Sequence, residues 1–270
     1  MKIYGKNSKG KKVLITVPDW DIPVPPNGNF GDGPSSSGPN IVEDNNLVLY
    51  LDAANTDSYS GTGNTWYDLT TNNNDATINS ATYSTSDSGH FIFNGTSNFM
   101  TVPYNASLDF RTTNFTIQTW FQLKSPNSGG LINMGDILEN SLVYAITAAS
   151  PGYPGGIEMY FQNSAPATPA SPNINLNTWI NIAVTRNGNT VTLYTNGEIL
   201  PGRNGANPAT IGTLSGGTPD LIIGKQFIGN FVNQTFFMNG LISNFLLYNR
   251  SLSANEVSQN YNAHKSRFGL

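Results

Sequence analysis

The sequence predicts an all-β protein built as two packed antiparallel sheets, with an extended N-terminal arm and one short C-terminal helix. Three observations predict it. Short β-prone runs recur along the chain with turn residues between them. Helical punctuation is confined to the last residues. Asparagine supplies 37 of the 270 residues, and because it closes turns through its own side chain and tolerates the left-handed region, it favours many short strands over long helices. Strands of this kind bury their apolar faces by stacking sheet on sheet. No internal repeat at a fixed period is visible, which argues against a propeller or solenoid.

Taken in order, residues 2–6 and 11–17 are β-prone runs on either side of Asn7, Ser8, Lys9 and Gly10, the chemistry of a hairpin loop. Residues 1–17 are therefore expected to form a small anchoring hairpin. Residues 18–40 carry six prolines, several glycines and three consecutive serines. Proline removes backbone donors and glycine raises the cost of ordering, so this stretch reads as an extended linker. The sandwich is expected over residues 41–270.

Within it, residues 47–51 form a short apolar run, and residues 91–93 and 99–102 bracket a turn at Asn94 and Gly95. Residues 115–123 alternate: Phe115, Ile117, Phe121 and Leu123 share one face, Thr116, Gln118 and Gln122 the other. That is the period of a half-buried strand, with Trp120 interrupting its polar face. Residues 179–185 and 190–195 flank Arg186, Asn187, Gly188 and Asn189, where Asn-Gly supplies the positive φ angles of a tight hairpin. Residues 221–223 and 241–248 complete the strands. At the end, Ser253 followed by Glu256 fits a capping box, Val257 and Tyr261 lie one helical turn apart, and Lys265 and Arg267 suit the C-terminal end of a helix dipole.

Composition excludes several classes of function. Only 11% of residues are charged, so solubility rests on amides and hydroxyls. With no cysteine there is no disulfide framework, thiolate zinc site or cysteine nucleophile. Residues 13–17 are too short for a signal-peptide core, and no run approaches the ~18 apolar residues of a membrane span, so neither secretion nor membrane insertion is expected. Five N-x-S/T sequons occur, as chance dictates in a chain this rich in Asn, Ser and Thr. Lys2, Lys6, Lys9, Lys11 and Lys12 give +5 before any acid appears; the other 8 basic and 17 acidic residues give −9, for a total of −4. An acidic main domain argues against general nucleic-acid binding. The lysine-rich end is either a solvated hairpin or a contact for an acidic partner.

Three segments together resemble the laminin-G-like, concanavalin A-like lectin family: FTIQTWFQL (115–123) with GGLINMG (129–135), WINIAVTRNGNTVTLYTNGE (179–198), and LIIGK (221–225) with FMNGLISNFLLYNRSLSANEV (237–257). LYLDAAN (49–55), WYDL (66–69) and FNGTSNFMTVP (93–103) are similar to the family's first strands. The resemblance implies a jelly-roll sandwich over about residues 46–257. The form with LDAAN near the start and QNYNAHKSRFGL at residues 259–270 looks like the laminin-G-like domains of tailed-bacteriophage structural proteins. That resemblance implies a virion protein assembled in the host cytoplasm and displayed as a head or tail decoration or fibre. Its partners would be other virion proteins, contacted through residues 1–40, and host or environmental glycans, with a homo-oligomer left open. Alternatives are a purely structural capsid or tail contact module and a cell-surface adhesin.

The chemistry points away from an enzyme. Glycoside hydrolysis needs two carboxylates about 5–5.5 Å or 6.5–9.5 Å apart. Glucanases of the family carry E-x-D-x-x-E, which is absent here. Of the glutamates, Glu43, Glu139, Glu158, Glu198 and Glu256, only Glu139 and Glu158 could converge. His90 and His264 are the only histidines, and no nucleophile elbow accompanies them. No cofactor is expected, although the family often holds a structural calcium, and Asp52, Asn94 and Asn98 offer hard oxygen ligands near two family-matching strands. Where many relatives read G-x-I-D-E, this chain has Gly240, Leu241, Ile242, Ser243 and Asn244, a loss of two carboxylates that weakens such a site. For sugar contact, Tyr59, Tyr67 and Tyr153 in loop-like segments are the candidate stacking rings, whereas Trp66, Trp120 and Trp179 are expected in the core.

Overall fold

The computed structural model describes residues 2–6, 12–16, 40–111, 113–126, 129–135, 144–148, 156–161, 174–200, 205–206, 217–228 and 234–270. It divides into two compact units, Met1–Pro39 and Asn40–Leu270. In the first, β1 (Lys2–Lys6) pairs antiparallel with β2 (Lys12–Thr16), with Lys2 opposite Thr16 and Lys6 opposite Lys12. The loop expected at residues 7–10, and the expected linker except for Asn40, lie outside the described residues.

The second unit is the two-sheet sandwich. Its smaller sheet has seven strands, in spatial order β12 (Ile157–Phe161), β11 (Tyr144–Ala148), β10 (Gly130–Met134), β17 (Leu221–Ile223), β8 (Phe99–Val102), β5 (Ala76–Asn79) and β4 (Thr65–Trp66). The larger sheet runs β15 (Glu198–Ile199), β14 (Thr190–Thr195), β13 (Trp179–Asn187), β9 (Phe115–Leu123), β20 (Asn239–Tyr248), β7 (His90–Asn94) and β6 (Thr82–Ser84). To it β3 (Leu47–Asp52) adds on β20 and β16 (Gly205–Ala206) on β14. A separate hairpin, β18 (Lys225–Ile228) with β19 (Gln234–Phe237), packs over β10. All of these pairings are antiparallel.

Strand alternation sends Phe115, Ile117, Phe121 and Leu123 of β9 inward, where they meet Trp66, Met100, Ile132, Ile146 and Ile223 of the smaller sheet in one apolar core. The edge of β20 serves two partners in turn. Residues 239–242 pair with β7 and residues 244–248 with β3, and the register shift at Ser243 turns the strand from one to the other. Ser243 Oγ donates to the Gly89 carbonyl at 2.9 Å, which fixes the shift.

One expectation needs correction. β9 is buried at all nine positions, not on one face alone. The cover is α1 (Ala254–His264), whose capping box at Ser253 and Glu256 is formed as the sequence predicts. Gln118 Nε2 donates to the Val257 carbonyl at 3.1 Å and to Asn181 Oδ1 at 2.8 Å, so the polar face of β9 becomes the seat of the helix. Gly197 permits this approach, since a Cβ there would lie 2.9 Å from the Tyr261 ring. Trp66 lies in the core between the sheets, whereas Trp120 and Trp179 pack on the other side of the larger sheet against Phe268, Trp120 stacked at a centroid distance of 4.4 Å and Trp179 tilted at 4.5 Å. Among the described residues no helix is long and apolar enough to cross a membrane.

Candidate functional site

The outer face of the smaller sheet is where chemistry gathers. Trp66, Ala76, Met100, Ile223, Ile132 and Ile146 point into the core, so alternation turns their neighbours outward. Pairing then aligns Thr65, Thr77, Thr101, Ile222, Asn133 and Ala145 in one row across β4, β5, β8, β17, β10 and β11. Five strand spacings make the row roughly 24 Å long. A second row sets Asn79 opposite Phe99 and, farther along, Gly130 opposite Thr147 opposite Glu158. Toward β4 the face is open: Thr77 is exposed, Thr65, Asn79, Phe99 and Thr101 are half-buried, and Tyr67 beside β4 is 47% exposed. Lys225 places its ammonium 4.6 Å from the Phe99 ring centroid and 5.9 Å from that of Phe237, a cation–π arrangement.

Toward β12 the face is closed over a polar cluster. Asn133, Thr147, Glu158 and Gln226 are all at least nine-tenths buried. Thr147 and Glu158 are direct cross-strand partners. Gln226, on β18, lies over Gly130, where a Cβ would stand 2.6 Å from Gln226 Cβ. Asn133 Nδ2 donates to the Gly135 carbonyl at 3.0 Å, which leaves its Oδ1 as the free end of the amide. Hydroxyls, amides and one carboxylate thus stand on a single surface, suited to hydrogen-bonding a polyhydroxylated ligand and unsuited to binding an apolar one.

Residues 94–258, more than half of the chain, match a family model, Laminin_G_3, described as concanavalin A-like lectin/glucanases superfamily. The chain belongs to this superfamily. Among solved structures, this superfamily member is similar to Trypanosoma rangeli sialidase in complex with the inhibitor DANA, at 17% identity and a TM-score of 0.58, covering 82% of this chain and 33% of the sialidase. It therefore spans about a third of that enzyme. It is also similar to domain 4 of AbnA, an extracellular GH43 arabinanase from Geobacillus stearothermophilus in complex with arabinotriose, at 15% identity and a TM-score of 0.59, covering 81% of this chain and 100% of that domain. A third is the binding domain of Paraclostridial Mosquitocidal Protein 1, at 20% identity and a TM-score of 0.59, covering 81% of this chain and 52% of that one. At these identities the likeness is one of fold. No curated protein matches the chain.

The sequence-predicted site residues are dispersed in this superfamily member. Tyr59 is 6% exposed, with its ring packed on Tyr83 and Phe91 at 4.9 and 4.8 Å and its hydroxyl donating to the Gly63 carbonyl, so it presents no free face for stacking. Burial, and then the neighbouring Tyr83, push its phenol pKa up. Tyr67 is open to solvent beside the outer face. Tyr153 lies outside the described residues.

The three expected calcium ligands are not brought together. Asp52 stands opposite Asn244 and Asn94 opposite Asn239, five positions apart along β20, or roughly 16 Å by strand rise. Asp52 is wholly buried, its oxygens taken by Arg267 at 2.7 and 2.9 Å, by the Tyr50 hydroxyl at 2.9 Å and by the Ala54 N–H at 3.0 Å. Burial alone would raise its pKa, but the hydrogen bonds and charge of Arg267 outweigh that and hold it below the ordinary value. Asn94 Oδ1 accepts from the N–H groups of Thr96, Ser97 and Asn98, and Asn98 Oδ1 accepts from the Asn94 N–H, so both amides close the turn between β7 and β8. Among the described residues no group of three His, Cys, Asp or Glu side chains gathers.

Asn133, Thr147, Glu158 and Gln226 were not singled out by sequence reasoning as a binding group. A signal for three of them was present: in GLINM, YAITA and IEMYF each polar residue interrupts an otherwise apolar strand.

Proposed function

We propose that the chain is a non-enzymatic carbohydrate-binding module that adheres through the outer face of its smaller sheet and is displayed on a virion surface, attached through residues 1–40. One observation carries the binding reading: three threonine hydroxyls in register across β4, β5 and β8, open beside Tyr67, with a buried polar cluster beyond Ile222 on the same face, on a sandwich of the lectin/glucanase superfamily. The similarity to an arabinanase domain in complex with arabinotriose supports the ligand class. A non-catalytic role is supported by the sequence, which lacks the E-x-D-x-x-E acid motif; Glu139, the one glutamate expected to converge with Glu158, lies outside the described residues. Display is supported by the five lysines that precede any acid at the N-terminus, while the rest of the chain is acidic.

The test is titration of the full chain against arabinotriose and a glycan array. Binding is expected, with Tyr67→Ala raising Kd about tenfold through loss of its stacking face. An array that stays blank at high protein concentration would reject the carbohydrate reading, and release of reducing sugar from any bound polysaccharide would reject the non-enzymatic one.

A further inference from the structure

The outer face of the larger sheet, on the far side of the sandwich from the threonine row, carries polar atoms without partners. Trp120 is opposite Asn244 of β20, and Gln122 is opposite Leu241 of β20 and Trp179 of β13, so alternation puts all five side chains on this face. Each is at least nine-tenths buried. Trp120 Nε1, Gln122 Oε1 and Asn244 Nδ2 have no hydrogen-bond partner among the described residues. Such atoms cost stability and natural structures hold few of them, so three on one patch call for a cause.

Their cover is aromatic. Phe268, at the end of the turn Lys265–Phe268, packs on the cluster of Trp120, Trp179 and Leu241, and its ring carries no hydroxyl or amide to answer the polar atoms around it. Phe268 is half-buried, and Gly269 and Leu270 after it are exposed. The attachment of this segment is uneven. Arg267 is anchored to Asp52 by bonds of 2.7 and 2.9 Å, whereas the Gly269 and Leu270 N–H groups reach the Ser266 and Lys265 carbonyls only at 3.4 and 3.3 Å. Phe268 can therefore swing out with Gly269 and Leu270 while Arg267 keeps its ion pair. Both indoles have supports that remain. Trp120 is stacked on Tyr261 of α1 at 5.4 Å. Trp179 Nε1 donates to Asp87 Oδ2 at 3.2 Å, and the turn Ser86–Ser88 that presents Asp87 holds Asp87 and Ser88 at φ +48 and +66, left-handed values unfavourable outside glycine.

We propose that Trp120, Trp179, Gln122 and Asn244 form a second binding site, for a pyranose ring, and that Phe268 is its built-in plug. A pyranose has an apolar C–H face that stacks on indole and a rim of hydroxyls that both donate and accept. It fills the place of the phenyl ring and also answers the two N–H donors and the amide oxygen. Phe268 supplies only the apolar half of that chemistry. The unpartnered atoms are held against their cost in stability because the ligand satisfies them. Plug and ligand compete, so the apparent affinity of the intact chain at this site is reduced by the fraction of molecules in which Phe268 is out. The site goes beyond the binding face of the smaller sheet, and either stands without the other.

The experiment is calorimetric titration of the full chain with cellotriose, mannotriose and the N-acetylglucosamine trimer, with Tyr67→Ala present throughout so that the smaller sheet is silenced. In that background Phe268→Ala is expected to lower Kd for at least one trimer about tenfold or more, and a further Trp179→Ala to reverse the gain. Gln122→Met, added to Phe268→Ala, removes the unpartnered acceptor at similar length, so Kd is expected to rise about tenfold with no fall in Tm. Phe268→Leu keeps an apolar side chain and serves if the alanine variant fails to fold, with a smaller gain expected. A plug that is only packing predicts a lower Tm and nothing else. A folded Phe268 variant with no gain for any of the three trimers would overturn the proposal, and so would a gain that survives Trp179→Ala. Either result leaves the reading of the smaller sheet untouched, and a blank array for the intact chain leaves this site standing if the unplugged variant binds.

Discussion

The most constrained side chains lie at the C-terminal end. Arg267 reaches back across more than two hundred residues to grip both oxygens of Asp52, with His264 3.9 Å from the same carboxylate and its Nε2 3.4 Å from the Tyr50 hydroxyl. The sequence offers Arg267 as a dipole partner of a terminal helix; its meeting with Asp52, and that of His264, depends on tertiary packing. Burial and then the Arg267 charge push the His264 pKa down to about 4, Asp52 opposing them. The unfolded chain therefore binds this proton more readily than the folded one, so the contribution of His264 is complete above the unfolded pKa of 6.5 and is lost as pH falls from there to about 4. The expected loss is about 3 kcal/mol over that window. Asp52, with a lowered pKa, adds a further loss only as pH drops below the ordinary 3.8. His90 is shifted downward too, mainly by burial, so His264→Gln should flatten most of the slope between pH 6.5 and 4 without abolishing it. Urea denaturation across that range measures it, and a variant with the wild-type slope would show that another group titrates.

Among the elements, β9 and α1 show what local pattern discloses and what it does not. The alternation of residues 115–123 and the capping box at Ser253 are local facts, legible because each is set within a few residues. That α1 lands on the polar face of β9 depends on contacts some 140 residues apart, such as Gln118 with Val257 and Asn260. Asn260 is the joint. Its Oδ1 accepts from the Val42 N–H at 2.8 Å, and its Nδ2 donates to Gln118 Oε1 at 3.1 Å and to the Tyr248 hydroxyl at 3.0 Å. Asn260→Ala strands polar groups on β9, on β20 and in the segment before β3, and is expected to destabilise the fold by about 3 kcal/mol, seen as a lower urea midpoint with little change in m. A cost below about 1 kcal/mol would mean that water fills the gap.

For the whole molecule, the sandwich was legible because turn chemistry and period-two runs repeat along the chain, whereas the outer face was not. Its first row takes Thr65, Thr77, Thr101, Asn133 and Ile222 from five strands, and only pairing aligns them. Tyr59 and Tyr67 sit in equally polar stretches, and core packing alone buries one and exposes the other. The division of charge, by contrast, can be read directly: residues 1–39 hold five lysines and three aspartates, 5 − 3 = +2, and residues 40–270 hold eight basic and fourteen acidic side chains, 8 − 14 = −6. The second unit contains both sheets and the core between them, so removal of residues 1–39 is expected to leave its melting temperature and glycan binding unchanged. On the proposed virion display through the lysine-rich arm, attachment should be lost in the same variant and should weaken with rising salt in the intact chain, since exposed charges are screened beyond about 8 Å at physiological ionic strength. Co-sedimentation of intact and truncated chains with the particle separates the cases: a truncated chain that still co-sediments places attachment on the sandwich, and salt-insensitive binding of the intact chain makes the contact apolar.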